Sequence, residues 1–234
     1  MRVVVTRPSE DAERTAATLR ARGYEALVAP LLKVERVEAE LRSDCSGVII
    51  TSANAAHALA AHAARKRLAK LPLFAVGQRS AEAARQAGFS DVTSADGDVR
   101  DLVRLLASRG AGQKAPLLYL AGRDRARDLV AELTAQGIAA EMAVVYRAAP
   151  LPFPSALTAA LKDGTVNAVL HYSARSAESY LAGAAQAGVA RQALAVRHIC
   201  LSDQAAAPLS AAGAADVVVA ARPDEAALLE RIDA

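Results

Sequence analysis

Short β-branched runs alternate with alanine-rich stretches along the whole chain, and the series is written twice. Val3–Thr6, followed by a helix-like stretch from Ser9 to Arg22 and closed by Gly23, matches Leu117–Leu120 through Gly137 at an offset of 114. Leu19 then falls on Leu133, each on the apolar face ahead of its glycine. Val48-Ile49-Ile50-Thr51-Ser52 matches Val169-Leu170-His171-Tyr172-Ser173 at 121, and Phe74-Ala75-Val76-Gly77 through Gly88 matches Ile199-Cys200-Leu201-Ser202 through Gly213 at 125. The offsets grow in one direction, as small insertions between two copies of one plan require. Alanine richness makes chance matches easy, so the paired glycines and the strand–serine junctions carry the weight.

The apolar runs are continuous rather than alternating, which suits strands covered by helices on both faces. Leu27–Ala29, Leu73–Val76, Val92–Ser94, Ala143–Tyr146, Ala168–Tyr172, His198–Leu201 and Asp216–Ala220 complete the strand set. Alternating β and α units predict parallel sheets, and 234 residues divide into two domains of common size. Two segments break the pattern at equivalent places. Pro30–Glu40 is extended and charged, while Tyr146–Ser155 carries Pro150, Pro152 and Pro154, which remove donors and push their predecessors out of the helical region. Each follows the second strand of its repeat, so the chain is expected to pass between domains twice.

Composition narrows the chemistry. Aromatics are 3% of residues and Trp is absent, which disfavours base-stacking platforms; 28 basic against 25 acidic side chains is a weak surplus for a polyanionic partner. Cys45 and Cys200 are too few for a disulfide framework or a zinc ribbon and read as reduced, buried thiols. The amino terminus turns polar after Val5, unlike a signal peptide, and no apolar stretch approaches a bilayer-spanning length of about 18 residues. We therefore expect a cytoplasmic protein with no membrane and no nucleic-acid partner. His57 and His62 lie on a predicted helix with no second ligand at metal spacing, and His171 has no G-x-S-x-G beside it. Gly110-Ala111-Gly112 lacks the third glycine and following helix of a nucleotide-binding loop, and Arg65-Lys66-Arg67 is a solvated helix end. No cofactor and no metal are expected.

In parallel sheets functional groups gather where strands end and helices begin. Small polar residues stand at these places: Thr6-Arg7, Thr51-Ser52-Ala53-Asn54, Gly77-Gln78-Arg79-Ser80, Gly122-Arg123-Asp124, Ser173-Ala174-Arg175-Ser176 and Ser202-Asp203-Gln204. Free amides at a helix start plus a hydroxyl make a carboxylate or phosphate site. Taken singly, Ser52, Ser173 and Asp124 read first as N-caps, worth about 1 kcal/mol each to their helices. Recurrence across both repeats favours a binding role for the set.

These junctions resemble those of the uroporphyrinogen-III synthase family. The matching pieces are Val5-Thr6-Arg7-Pro8 with Pro30-Leu31, Val48 to Ala55, Ala75-Val76-Gly77 leading to Ala87-Gly88-Phe89, and Leu118-Tyr119-Leu120-Ala121-Gly122. Gln136-Gly137 through Val145-Tyr146-Arg147 and the Ser173–Ser176 junction complete the series in family order, over essentially the whole chain. The resemblance implies two flavodoxin-like α/β domains joined by a two-stranded linker. The first is discontinuous, 1–33 with 150–234; the second is 39–145, with linkers at 34–38 and 146–149.

It also implies a monomeric, cofactor-independent lyase that closes the linear tetrapyrrole hydroxymethylbilane into uroporphyrinogen III. The substrate would lie in a cleft between the domains, after a transient hand-over from hydroxymethylbilane synthase. Thr6, Arg7, Thr51, Ser52, Asn54, Gly77, Ser80, Gly122, Arg123, Ser173, Ser176 and Ser202 are the implied substrate contacts. Tyr146, matching the family's recurrent linker tyrosine, is the implied group steering the leaving hydroxyl. Where many relatives carry Gly-x-x-Thr this chain has Ser202-Asp203-Gln204-Ala205, so Ser202 would supply the hydroxyl and Asp203 should point away. A two-domain module that binds an anionic metabolite without catalysis is the alternative from another class.

Overall fold

The computed structural model describes every residue except 111, 113, 126, 127 and 234, with the backbone alone at 9 and 10. Ala111 of the glycine loop thus lies outside the described residues. In chain order the first elements are β1 (Arg2–Val5), α1 (Ser9–Ala21), β2 (Glu25–Val28), β3 (Leu32–Arg36) and β4 (Gly47–Ile50). Then come α2 (Ala53–Ala60), α3 (Arg65–Leu68), β5 (Leu73–Ala75), α4 (Gln78–Gln86), β6 (Val92–Ser94) and α5 (Val99–Ser108). β7 (Leu117–Gly122), α6 (Leu129–Ala135), β8 (Ala140–Pro150), α7 (Ser155–Lys162), β9 (Ala168–His171) and α8 (Ala174–Gln186) follow. The chain closes with α9 (Ala190–Ala195), β10 (Arg197–Cys200), α10 (Asp203–Ala211), β11 (Asp216–Val219) and α11 (Glu225–Glu230).

The chain divides into two compact units, Met1–Lys33 with Ala149–Ala234, and Val34–Ala148. Among the described residues the first unit holds a five-stranded sheet, β11-β10-β9-β1-β2, parallel throughout. The second holds the order β3-β8-β7-β4-β5-β6, parallel from β8 to β6. The inner strands of both sheets are buried on both faces, which is why β1, β4 and β7 are uninterrupted apolar runs. In the second unit Val48, Ile50, Leu118 and Leu120 enter one core cluster, and Ile49, Leu117 and Tyr119 enter the other. In the first, Val4 and Val169 face one cluster, and Val3, Val5 and Leu170 the other.

The duplication read from the sequence is matched pair by pair in the registers. Val3↔Ala26 of β1–β2 corresponds to Leu117↔Ala140 of β7–β8, both shifted by 114. Val48↔Leu73 of β4–β5 corresponds to Val169↔His198 of β9–β10, shifted by 121 and 125. The five-stranded sheet therefore takes two strands from the first half of the chain and three from the second, and the six-stranded sheet four from the first and two from the second.

Three local expectations need correction. The strand expected at Ala143–Tyr146 runs from Ala140 to Pro150, because a strand with polar Glu141 and Arg147 on it shows only its apolar middle as a run. His62 is not helical; it follows Ala61, the C-cap of α2, where its Nδ1 accepts the Ala64 N–H at 3.0 Å. The cap of α6 is Asp128, whose Oδ1 accepts the Ala131 N–H at 3.1 Å; Asp124 stands in the preceding loop. Cys45 and Cys200 are buried and unpaired, and burial pushes the Cys200 thiol up to about 12. Among the described residues no helix is long and apolar enough to cross a membrane.

Candidate functional site

In the second unit the carboxyl ends of β4 and β7 and the middle of β8 bring together four of the expected site residues. After Ile50 the chain stays extended through Ser52 (φ −147°, ψ 143°), which caps α2 by accepting the Asn54 N–H at 3.2 Å. Thr51 Oγ1 lies 3.0 Å from the hydroxyl of Tyr119, a residue of the neighbouring strand β7. Tyr146 comes from β8, next on the other side of β7.

A register break explains how Tyr146 gets there. Ala121 pairs with Val144 but Gly122 pairs with Tyr146, so β8 carries one extra residue at this point. A bulge of this kind re-aims a side chain. Val145 and Tyr146, though consecutive, both pack on the cluster that contains Ile50 and Leu118. Gly122 makes the room: a Cβ there would lie 2.7 Å from Cε2 and Cζ of Tyr146 and 3.0 Å from its hydroxyl. The Arg123 N–H then donates to the Tyr146 carbonyl at 2.9 Å, holding the two strand ends together.

Burial raises the pKa of the half-buried Tyr146; the nearby Ser52 hydroxyl works against this and the charge of neighbouring Tyr119 adds to it. At neutral pH the phenol therefore keeps its proton and can give it. Arg123 is exposed beside it, and Arg125 Nη1 donates to the Gly122 carbonyl at 2.9 Å and to that of Arg123 at 3.1 Å. Asn54 is half-buried in the first turn of α2. Gly77 is the extended cap of α4 and Ser80 is buried in its first turn. The strand ends of this unit thus offer hydroxyls, helix-start amides and the guanidinium groups of Arg123 and Arg125. Among the described residues no cluster of His, Cys, Asp and Glu has a metal-binding arrangement.

The first unit places its share differently. Ser173 and Ser176 form a reciprocal capping box at the start of α8, the Ser176 N–H reaching Ser173 Oγ at 3.2 Å. Ser202 caps α10 through the Ala205 N–H at 3.4 Å, and Asp203 is exposed. Thr6 is fully buried, and its hydroxyl donates to the Leu170 carbonyl at 2.8 Å, tying β1 to β9. Arg7 is held at 3.2 Å by both Asp11 and Glu225, with its guanidinium 4.1 Å from the centre of the Tyr172 ring. Thr6 and Arg7 are thus committed to the fold, a use that the strand-end position alone did not reveal. Tyr119, Tyr172, Arg125 and Glu225 were missed because nothing marks a strand tyrosine or a helix-start glutamate as polar until its neighbours are known.

The family model "Uroporphyrinogen-III synthase HemD" matches residues 13–230 of the chain. Among solved structures, the chain is similar to uroporphyrinogen-III synthetase from Helicobacter pylori, with 19% identity, 99% of this chain and 98% of that chain covered, and a TM-score of 0.67. It is also similar to a mutant uroporphyrinogen III synthase from the extremely thermophilic bacterium Thermus thermophilus, again 19% identical, covering 100% and 97% of the two chains at a TM-score of 0.52. At such identities these two establish the fold alone. No curated protein matches the sequence.

Proposed function

The chain belongs to the uroporphyrinogen-III synthase family, a lyase family of porphyrin biosynthesis, and from that premise we propose that it cyclises hydroxymethylbilane with loss of water and inversion of the last pyrrole ring. The observation that carries this reading is the Tyr146 phenol, set by the register break of β8 against Gly122 beside strand ends that carry neutral donors.

The reaction needs a proton at the leaving hydroxymethyl oxygen. As the C–O bond breaks, Tyr146 gives its proton to that oxygen, which departs as water and leaves an electrophilic azafulvene. The azafulvene carbon then bonds the already substituted α-carbon of the last pyrrole, giving a spiro intermediate. The older methylene bond to that carbon breaks, the freed methylene carbon bonds the ring's other α-carbon, and the proton lost from that carbon restores the phenol. Reactant and product stand at the same oxidation level, so the sequence of steps calls for no redox cofactor. The substrate's acetate and propionate groups suit Thr51, Ser52, Asn54, Ser80, the amide of Gly77 and exposed Arg123. Uncatalysed closure gives the uninverted isomer, so the protein's task is orientation and water exclusion. A hundredfold preference needs only about 2.8 kcal/mol of differential transition-state stabilisation.

The test is a coupled assay that generates fresh hydroxymethylbilane and resolves the oxidised products into isomers I and III. Isomer III that depends on the protein, without added cofactor, is the expected result. Isomer I alone from folded protein overturns the reading and leaves a two-domain module that binds an anionic metabolite without catalysis.

A further inference from the structure

The loop that follows β7 holds one guanidinium group in a fixed pose. Arg125 is exposed, yet its Nη1 donates to two backbone carbonyls, that of Gly122 at 2.9 Å and that of Arg123 at 3.1 Å. Each takes one of the two Nη1 protons. Nε and Nη2, which together form the side-on edge of the planar group, meet no acceptor among the described residues. That edge is a carboxylate fork. The chain itself shows its use: Arg42 sets Nε and Nη2 on the two oxygens of Asp44, at 3.0 and 2.6 Å. Arg147 turns the same pair of nitrogens on Glu35. At Arg125 the fork is held by the backbone and has no acidic side chain against it.

The same bonds fix where the fork stands. Gly122, whose carbonyl Arg125 binds, is the residue whose Cβ would lie 3.0 Å from the Tyr146 phenol oxygen. Arg123, which supplies the second carbonyl, gives its N–H to the Tyr146 carbonyl at 2.9 Å. Phenol and fork are thus tied to the same two residues.

We propose that the Nε–Nη2 edge of Arg125 binds one carboxylate arm of the substrate and so sets the reacting end of the tetrapyrrole beside Tyr146. This contact rests on the dehydrative cyclisation proposed above and adds a binding group to it. An arginine already ordered by the backbone loses little rotamer freedom on binding, an advantage that Arg123, with no such anchor for its side chain, does not have. A carboxylate held alike in the ground and transition states shows in KM and not in kcat.

The test follows the side chain itself. In 15N-labelled protein the Arg125 Nε–H resonance, assigned by its loss in Arg125→Lys, is expected to shift on titration with uroporphyrinogen III under reducing conditions. Arg125→Lys keeps the charge without the fork and should raise KM for hydroxymethylbilane about tenfold, with kcat within about twofold. Arg109→Met removes a charge at the C-cap of α5 and should leave KM unchanged. An unmoved Arg125 resonance, an unchanged KM in Arg125→Lys, or an equal rise in Arg109→Met each overturns the proposal. A fall in kcat at constant KM overturns it too, making Arg125 a tie of its loop alone. If Arg125→Lys does not fold, the resonance is assigned through bonds from the residue's own backbone amide and decides by itself. Should the wild-type protein make only isomer I, the cyclisation reading falls by the product assay, while the titration still decides whether Arg125 takes a carboxylate.

Discussion

Gly122 and Tyr146 occupy what would be one residue's space: a methyl group at 122 would fall 2.7 Å from two ring carbons of Tyr146. That glycine has an ordinary place at the end of a strand, so its requirement is room and not backbone freedom. Gly122→Ala should therefore displace the phenol while the sheet persists. We expect activity to fall by about 10- to 100-fold, the scale of a misplaced catalytic group, with about 1–3 kcal/mol lost to overpacking. Steady-state kinetics beside a urea melt checks both. Full activity in a folded Gly122→Ala protein would remove Tyr146 from the chemistry.

Arg7 tests the opposite assignment, a strand-end cation used by the fold. It stands between Asp11 and Glu225, which also receives hydrogen bonds from Thr15 and Tyr172. Arg7→Met leaves the two carboxylates to the more exposed Arg14, 3.4 Å from Asp11 and 3.9 Å from Glu225, and should cost about 1–2 kcal/mol, less than for a fully enclosed pair because Glu225 is partly solvated. Glu225→Gln in the Arg7→Met background should recover part of that loss. Urea unfolding of the four proteins of the cycle gives the coupling, and strict additivity would contradict it.

The first unit also carries a buried histidine pair, with His171 Nε2 and His198 Nδ1 3.1 Å apart and both side chains fully enclosed. Burial and then the neighbouring His198 hold the His171 pKa well below the ordinary range. Burial lowers that of His198 to about 4, against the raising pull of the Ala193 backbone and Asp216. The folded state thus resists protons that the unfolded chain accepts near 6.5. Stability is whole above that value and declines as the pH falls towards 4, by about 3 kcal/mol for His198 alone. Urea midpoints from about pH 7.5 down to about 4.5 should show this decline, and His198→Gln should flatten it. An unchanged slope in the variant would place the acid sensitivity elsewhere.

Gly183 sets helix propensity against packing. It lies inside α8, where alanine is favoured by about 1 kcal/mol. A methyl there would stand 3.0 Å from Cβ and Cγ of Phe153 and closer still to Cδ2. The Phe153 ring is itself fixed at 5.9 Å from that of Tyr180. Gly183→Ala is expected to lower the thermal midpoint despite its better propensity, and Phe153→Leu in the same chain to restore it. A rise in the single variant would show that Phe153 swings aside freely.

Local chemistry made some of this legible in the sequence and left the rest hidden. The buried parallel strands announce themselves, because Val48-Ile49-Ile50 and Val3-Val4-Val5 must be apolar on both faces. So do the serines at 52, 173 and 202, since an N-cap needs only its own helix. The extra residue in β8 depends on pairing with Gly122, some two dozen positions away, and no local pattern encodes it. Asp128 rather than Asp124 caps α6 because the loop runs longer than its polar residues suggest. Tyr119 reads as one more apolar strand residue until Thr51 is placed beside it, and Arg7 reads as available until Glu225 arrives from the far end of the chain.

The crossed distribution of strands has a consequence for synthesis. β1 must pair with β9, and the Arg2 N–H reaches Asn167 Oδ1 at 2.7 Å across 165 residues of chain. At about 5–20 residues per second, the amino-terminal strands wait roughly ten to thirty seconds for their partners to leave the ribosome. The segment Val34–Ala148 is complete before those partners have been made. The protein's first strand is thus among the last to be enclosed, and until then Val3, Val4 and Val5 are the stretch a chaperone or a neighbouring nascent chain would meet.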